Sequence, residues 1–475
     1  MMLNLRETVQ ALNAQLIGDG ELTFDRVTTD SRDIRAGDLF VALKGDRFDA
    51  HDFVAAALAQ GAVAALVQEG SAVAQGAIGN LIVVADTLAA LGELAKYWRA
   101  KHAAIPLVGV TGSNGKTSVK EMLASIFAVA AGGEPTDSSE SLVHATKGNL
   151  NNHIGLPLTV LGMNASHRYV VAEMGMNHFG EIDYLTHIAQ PDVALVNNAG
   201  AAHLEALGSV AGVARAKGEI FAGLVANGTA IINADDEFAP LWRELAAKNQ
   251  IATFGLNGEV SAKNIELLPT GSAFTLVCPQ GEAAISLAVP GEHNVRNALA
   301  AAAAAMAAGV SLAQVAQGLS QWAGVKGRLQ AKTAFNGAAI LDDTYNANPD
   351  SMKAAIDVLA AIAQGGKPTV LVLGDMGEVG ADANERHAEI GGYAREKQIQ
   401  HFVAVGTHMQ YAVDAFNRDH AGAQLCADHA AAISAVRALL TPETQVLVKG
   451  SRFMRMETVV AGLENKTEQG AQPCC

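Results

Sequence analysis

A glycine-rich turn between an apolar strand and a helix is the segment of this sequence best suited to chemistry. The apolar run from Ile105 to Val110 predicts a buried strand, and apolar residues at helical spacing after the turn predict a helix. Backbone N–H groups at a helix N-terminus attract phosphate, a lysine adds positive charge, and a threonine hydroxyl can bind Mg²⁺. The segment therefore predicts a phosphate cradle, made of Thr111, Gly112, Ser113, Asn114, Gly115, Lys116, Thr117 and Ser118.

The spacing of this turn is shorter than that of the common P-loop. The place of the first glycine in the common motif is held by Val110, which leaves the form Gly-x-x-Gly-Lys-Thr. The alternative is a turn that begins a helix and binds no ligand. The strand before the turn and the helix after it favour the cradle.

Polar residues after the following strands could complete a nucleotide site. Glu173 ends a predicted strand, where its carboxylate could hold Mg²⁺ opposite Thr117 or could cap a helix. His203 follows the next strand, and Lys217 lies in a predicted helix. By their residue types alone, these two are an ordinary loop histidine and a solvated helix lysine.

Three further segments carry polar side chains at element boundaries. Asn294 and Asn297 open an alanine-rich helix, where they could cap it or contact a base. Arg328 lies near a domain junction and could close onto a phosphate, or it could be a surface arginine. The run from Asp343 to Ser351 follows a predicted strand and is too rich in polar groups for a turn alone.

Composition limits the class of protein. The chain has 475 residues, half of them hydrophobic, and a net charge of −15, which predicts a globular protein of about three domains. The acidity and the lack of basic blocks argue against nucleic acid or an anionic membrane as the main partner. The four cysteines form no zinc or disulfide pattern, and neither a signal peptide nor a membrane span is evident, so we expect a cytoplasmic protein.

Strands and helices alternate along the chain, which predicts an α/β fold. We expect domains at residues 1–85, 86–322 and 323–475. The central domain should contain a parallel sheet, with shorter and antiparallel strands over residues 250–290 and a flexible surface insertion at residues 131–147. The last domain should be Rossmann-like, although it lacks the Gly-x-Gly-x-x-Gly motif and should not bind a dinucleotide.

Taken in order, these motifs resemble those of the Mur ligases, the ATP-dependent amide-forming enzymes of peptidoglycan precursor synthesis. The resemblance covers nearly the whole chain and rests on the ordered set Thr111–Thr117, Glu173–Gly175, His203, Lys217, Gly291–Asn297, Gly327–Arg328 and Asp343–Ser351. Within the family, the segments Asp38–Phe53, Gly148–Pro157 and Tyr345–Ser351 are most similar to those of the ligases that use D-alanyl-D-alanine. The 131–147 insertion looks longer than the family usually has.

The resemblance implies a fold and a reaction. A small N-terminal α/β domain would bind UDP, a central P-loop-type domain would bind ATP, and a C-terminal Rossmann-like domain would bind ATP and the incoming dipeptide. ATP would phosphorylate the carboxylate of UDP-N-acetylmuramoyl-tripeptide, and the amine of D-alanyl-D-alanine would attack the acyl phosphate. This would be the final cytoplasmic step of UDP-pentapeptide synthesis, carried out by a monomer with no nucleic acid and no membrane insertion.

The resemblance also implies roles for individual residues. The catalytic residues would be Lys116, Glu173, His203 and Lys217. Thr117 and Glu173 would hold one Mg²⁺ ion, and His203 and a carbamylated Lys217 would hold a second. ATP would contact the cradle together with Asn294, Asn297, Arg328 and Asp343. The substrates would contact Ser31, Lys44, His51, Asn151, Asn152, Tyr345, Asn346 and Asn348.

Other functions remain compatible with parts of the pattern. A ligase of the same fold could add a single amino acid, or glutamate to folate, although the folate enzyme has no UDP-binding domain. A P-loop phosphotransferase or GTPase would need a guanine-reading Asn-Lys-x-Asp motif, which the sequence lacks. A non-catalytic nucleotide-binding scaffold would not depend on Lys116.

Overall fold

Apolar strands alternating with helices build three α/β units in the computed structural model, which describes residues 1–45, 47–76, 78–132, 141–363, 366–418 and 421–464. Part of the predicted insertion at 131–147 lies outside the described residues. Cys474 and Cys475 also lie outside them. The described part of the insertion is not only surface loop, because residues 143–145 form a strand. Among the described residues, no helix is long and apolar enough to cross a bilayer.

The N-terminal unit is built on a mixed sheet with the order β2-β7-β6-β5-β4. Strands β4 to β7 run parallel, β2 is antiparallel to β7, and β1 pairs with β3. Its elements are β1 (Leu3–Asn4), α1 (Leu5–Leu12), β2 (Gln15–Ile17), β3 (Thr23–Phe24), β4 (Arg26–Thr28), β5 (Asp38–Val41), α2 (Val54–Ala59), β6 (Ala64–Gln68), α3 (Ala72–Gly76) and β7 (Leu81–Val84).

Helix α1 ends at Leu12, just before Asn13. Asn13 adopts a left-handed backbone conformation (φ 47°), and its N–H bonds to the carbonyl oxygens of Val9 and Gln10. Asparagine tolerates this conformation and commonly ends helices. Because the helix stops there, Gln15–Ile17 are free to pair with β7 as an edge strand.

The central unit contains a parallel sheet with the order β13-β12-β11-β8-β10-β9. Its elements are α4 (Thr87–Lys101), β8 (Leu107–Thr111), α5 (Lys116–Ala131), β9 (Val143–Ala145), α6 (Gly155–Leu161), β10 (Tyr169–Glu173), α7 (Glu181–Ala189), β11 (Val193–Val196), α8 (Leu204–Leu207), α9 (Val210–Gly218), β12 (Thr229–Asn233), α10 (Ala239–Leu245), β13 (Gln250–Phe254), β14 (Ser261–Leu268), β15 (Gly271–Cys278), β16 (Gly281–Leu287), α11 (Glu292–Ala307) and α12 (Leu312–Gln321). The predicted antiparallel strands are confirmed in β14–β16, whereas β13 belongs to the parallel sheet.

The C-terminal unit has a sheet with the order β17-β18-β22-β19-β20-β21, in which only the β17–β18 pair is antiparallel. Its elements are β17 (Gln330–Thr333), β18 (Ala339–Asp343), α13 (Pro349–Ile362), β19 (Thr369–Gly374), α14 (Ala383–Glu396), β20 (His401–Val405), α15 (Met409–Phe416), β21 (Ala423–Cys426), α16 (His429–Leu439), β22 (Gln445–Lys449) and α17 (Glu457–Glu464). The Rossmann-like alternation is confirmed. The sequence did not predict β17, α15 or β21, because the two strands are partly exposed edges and the helix is short.

Helix α4 links the first two units through one apolar core. Leu91, Leu94 and Trp98 on this helix belong to the same buried cluster as Leu39 of the N-terminal sheet and Leu185 of the central unit. Arg99 is buried among them, 2% exposed, and joins α4 to the start of β11. Its guanidinium donates to the carbonyl oxygens of residues 189 and 190 and to Oδ2 of Asp192 at 2.9 Å.

We predict that Arg99→Ala destabilises this junction, because it removes one partner of a buried ion pair and leaves carbonyl groups without donors. The loss should be about 3 kcal/mol, or roughly 6–12 °C in the Tm of the affected domain, measured by circular dichroism during heating. Arg243→Ala, at an exposed position of α10, is the control and should leave the Tm unchanged. Equal Tm values for the two variants would contradict the role given to Arg99.

Candidate active site

The phosphate cradle begins where β8 ends at Thr111 and closes where α5 begins at Lys116. Gly115 has a left-handed backbone conformation (φ 80°). A Cβ atom at this position would lie 2.3 Å from Oδ1 of Asn297 and 2.4 Å from Nδ2 of Asn197. Both the conformation and the space therefore require glycine here, and the backbone N–H groups at the start of α5 stay accessible to an anion.

Asparagine side chains hold the cradle in shape. Nδ2 of Asn197 donates to the carbonyl oxygen of Asn114 and to Oδ1 of Asn297, each at 2.9 Å. Oδ1 of Asn198 accepts from the backbone N–H of Asn114 at 2.8 Å. Asn197 and Asn198 were not among the predicted site residues. The signal was available, because β11 lies beside β8 and their carboxyl ends share one edge of the sheet.

Asn294 lies in the first turn of α11 and Asn297 in the second, next to this network. Nδ2 of Asn294 donates to the carbonyl oxygen of Pro290 at 2.8 Å, and both side chains are buried. The alternative that the sequence left open, a capping role, is not observed, because no side chain caps α11.

Lys116 folds over its own loop. Its Nζ atom donates to the carbonyl oxygen of Gly112 at 2.7 Å and, more weakly, to that of Ser113 at 3.4 Å. Loss of water around the ammonium lowers the pKa of Lys116, and the negative charge of Glu173 opposes this shift. The ammonium is thus held at the mouth of the cradle, where phosphate oxygens would replace the carbonyl groups.

A hydroxyl and a carboxylate meet beside the cradle. Oγ1 of Thr117 donates to Oε2 of Glu173 at 3.0 Å, and Nδ2 of Asn151 donates to Oε1 of the same carboxylate at 2.9 Å. The guanidinium of Arg328 donates to Oγ1 of Thr117 at 3.1 Å. Hard oxygen ligands of this kind suit Mg²⁺ when phosphate oxygens and waters complete the shell. The described residues contain no cluster of three or more His, Cys, Asp or Glu side chains that could hold a metal by themselves.

Lys217 is not the solvated helix residue that its type and position suggested. Its side chain on α9 is 2% exposed. Burial lowers the pKa of Lys217 well below its ordinary value, and the charge of Lys116 lowers it further. Among the described residues, its amine has no hydrogen-bond or ion-pair partner. It therefore makes no such contact with His203. Instead, Nδ1 of His203 lies 2.9 Å from Oε2 of Glu378 in the C-terminal unit.

The C-terminal unit contacts the cradle through the start of α13. Nδ2 of Asn348 donates to Oδ1 of Asn114 at 2.8 Å, and Oδ2 of Asp350 accepts from the backbone N–H of Ala201 at 3.0 Å. Asn348 also caps α13 in a capping box with Ser351. This helix cap therefore holds the two units together at the phosphate cradle.

A cavity of about 350 Å³ lies between these surfaces. Asp343 forms part of its wall, where its Oδ2 atom pairs with Nζ of Lys449 at 2.6 Å. Nζ of Lys449 also donates to the carbonyl oxygen of Asn346 at 2.9 Å. The Arg328 guanidinium stacks over the ring of Tyr345, 4.4 Å from its centroid. Of the predicted nucleotide contacts, the lining includes Asn114, Gly115, Ser118, Asn294, Asn297, Arg328 and Asp343.

The residues predicted to contact UDP lie on the N-terminal unit. Ser31 and Lys44 follow β4 and β5, whose carboxyl ends are adjacent. His51 is buried, and both of its ring nitrogens are engaged within this unit, Nδ1 with Asp49 at 2.5 Å and Nε2 with the backbone N–H of Gln68 at 2.9 Å. His51 therefore fixes the loop beside Lys44. Asn152, predicted as a peptide contact, accepts from the backbone N–H of Gly155 at 2.9 Å and so supports the start of α6.

Three family models match the chain, in an order that follows its three units. The model of the Mur ligase family catalytic domain matches residues 23–99. The Mur ligase middle domain matches residues 110–305, and the Mur ligase glutamate ligase domain matches residues 327–452.

Full-length relatives agree with these matches. The UDP-N-acetylmuramoyl-tripeptide–D-alanyl-D-alanine ligase of Haemophilus influenzae is 42% identical over 98% of this chain and 99% of its own length. The crystal structure of MurF from Acinetobacter baumannii is 40% identical and superposes with a TM-score of 0.88, covering 98% of this chain and 99% of that one. The MurF ligase from Thermotoga maritima, solved in complex with ADP, is 27% identical with a TM-score of 0.78, covering 93% and 97% of the two chains. From its sequence, its fold and the geometry of its phosphate cradle, the chain belongs to the Mur ligase family.

Proposed function

We propose that this enzyme joins D-alanyl-D-alanine to UDP-N-acetylmuramoyl-tripeptide at the expense of ATP. The observation that carries the proposal is the contact of Thr117 with both Glu173 and Arg328, because a hydroxyl and a carboxylate that could hold Mg²⁺ meet a cation from the C-terminal unit there. The full-length similarity to ligases named for these substrates supports the choice of substrates. The enzyme would act as a cytoplasmic monomer.

Phosphoryl transfer is the first step. A carboxylate oxygen of the tripeptide attacks the γ-phosphorus of ATP, the bond to the β-phosphate oxygen breaks, and ADP leaves. Lys116 and Arg328 bring positive charge to the oxygens that become more negative, and the N–H groups of the cradle hold the phosphates in place. Thr117 and Glu173 would hold Mg²⁺, which when bound neutralises charge on the β- and γ-phosphates.

Amide formation is the second step. The amine nitrogen of D-alanyl-D-alanine attacks the carbonyl carbon of the acyl phosphate, phosphate leaves, and the nitrogen loses its proton. The dipeptide would contact Tyr345, Asn346 and Asn348, which lie at the edge of the C-terminal sheet nearest the cradle. Ser31 and Lys44 would hold the UDP end on the N-terminal unit, while His51 shapes the loop beside Lys44.

The buried amine of Lys217 supports a carbamylated lysine. Only a neutral amine attacks carbon dioxide, and the lowered pKa of Lys217 increases the neutral fraction near neutral pH. Carbamylation forms an N–C bond, releases a proton and converts the amine into an oxygen anion. This anion is a hard oxygen ligand, and together with the imidazole of His203 it would hold a second Mg²⁺ ion.

The test of the proposed function is product formation. We expect ATP, Mg²⁺ and UDP-N-acetylmuramoyl-tripeptide to give sustained phosphate release only when D-alanyl-D-alanine is present, and mass spectrometry should detect the pentapeptide nucleotide. Single amino acids offered with shorter UDP-muramoyl peptides are the comparison. Faster amide formation with one of them would favour another ligase of this family, and phosphate release without any amide product would contradict ligation.

Lys116→Ala should lower kcat by about 10²–10³-fold, because it removes a cation that stabilises the transferring phosphoryl group. Lys248→Ala, an exposed lysine outside the site, is the matched control. Phosphate release measures both. A Lys116→Ala enzyme as fast as the control would contradict the catalytic role of Lys116.

Lys217→Met keeps the volume of the side chain and removes the amine. We expect a carbamate signal in the ¹³C NMR spectrum of the wild-type enzyme equilibrated with labelled bicarbonate, and no such signal in the variant. The signal should weaken as the pH falls, because protonation consumes the neutral amine. Lys248→Met should retain the signal, and a spectrum equal for all three proteins would rule out a carbamate at Lys217.

A further inference from the structure

Glu378 lies on the far side of the boundary between the central and C-terminal units, opposite His203. Its Oε2 atom is 2.9 Å from Nδ1 of His203. An ionised carboxylate has no hydrogen to donate, so this contact favours the tautomer of His203 that carries hydrogen on Nδ1. In a neutral ring this leaves Nε2 as the acceptor, which is the atom able to bind a metal ion or a substrate donor.

The loop that carries Glu378 is fixed by contacts within the C-terminal unit. The backbone N–H of Met376 donates to Nε2 of the fully buried His387 at 2.9 Å. The backbone N–H of Gly377 donates to Oγ of Ser451 at 2.8 Å, and the N–H of Ser451 donates to the carbonyl oxygen of Asp375 at 3.1 Å. These contacts fix the backbone that precedes Glu378, while its side chain stays 65% exposed.

Both partners have an unusual backbone. His203 and Glu378 adopt left-handed conformations, with φ values of 55° and 59°. Residues other than glycine rarely adopt this conformation unless the surroundings impose it, and such residues concentrate at functional sites. Here the two conformations meet at one contact across the unit boundary.

Other carboxylates near the cradle have hydrogen-bond or ion-pair partners within the site. Glu173 accepts from Thr117, and Asp343 pairs with Lys449. Glu378 is paired with His203 across the unit boundary, and its side chain is 65% exposed. The carboxylate therefore lies against one imidazole.

We propose that Glu378 is a positioning residue that fixes the ring of His203 when the C-terminal unit lies against the central unit. The inference rests on the proposed function. Carboxylate–histidine pairs orient imidazole ligands in metal sites in this way, and loss of the carboxylate typically lowers metal affinity or activity about 10–100-fold. Because the two residues come from different units, His203 is oriented only when the units are together, and the closed arrangement completes the site.

Kinetics of a double-mutant cycle test the pairing. Glu378→Ala should lower kcat about 10–100-fold and raise the Mg²⁺ concentration needed for half-maximal rate, with a smaller change in KM for ATP. Glu378→Gln keeps an acceptor for Nδ1–H and should recover part of the rate. In a His203→Ala background, Glu378→Ala should have little further effect. Glu385→Ala, an exposed carboxylate of α14, is the control and should match the wild type.

Nitrogen-15 NMR of histidine-labelled full-length protein with ADP provides a readout that does not depend on turnover. The resonances of His203 are identified by their absence from the His203→Ala spectrum. We expect hydrogen on Nδ1 in the wild type and a shift toward hydrogen on Nε2 in Glu378→Ala.

An unchanged tautomer in Glu378→Ala, or effects that multiply in the double mutant, would overturn the inference. Failure of the wild type to form the amide would contradict the proposed function instead, while the NMR comparison would still decide whether Glu378 fixes His203.

Discussion

Electrostatic repulsion is the constraint on which this site depends. A triphosphate and a carboxylate have to meet within a chain whose own net charge is −15. The structure meets this constraint locally, by collecting cations at the cradle and the adjoining cavity. Lys116 belongs to the cradle, and Arg328 from the unit junction and Lys449 from the end of β22 line the cavity. Because these groups come from different units, the positive charge is complete only when the units are assembled.

Much of the site could be predicted because local sequence determines it. The glycine of the cradle, the lysine that follows it and the carboxylate at the end of β10 occupy positions fixed by strand–turn–helix geometry. Hydrophobic periodicity likewise predicted the central strands and the alternation of the C-terminal unit, which are long or buried enough to carry a clear pattern. Residue types and spacing are sufficient to predict an element that forms from residues close together in the sequence.

The remaining features depend on contacts between distant segments. Burial of Lys217 cannot be inferred from its helix, since the packing that covers it comes from other parts of the fold. Asn197 and Glu378 are functional candidates only because β11 lies beside β8 and because two units meet. Short edge strands such as β21 are partly exposed and carry no apolar run, so their pairing became visible only in the sheet.

The cap formed by Asn348 has a consequence for how firmly the site holds an anion. It places the N-terminal end of α13 at the cavity, which the first turns of α5 and α11 also line. The aligned peptide dipoles of a helix give its N-terminal end a partial positive charge. Part of the attraction for phosphate is therefore built into the main chain, where no side-chain substitution removes it. A variant without the cationic side chains of Lys116 and Arg328 would still attract anions weakly.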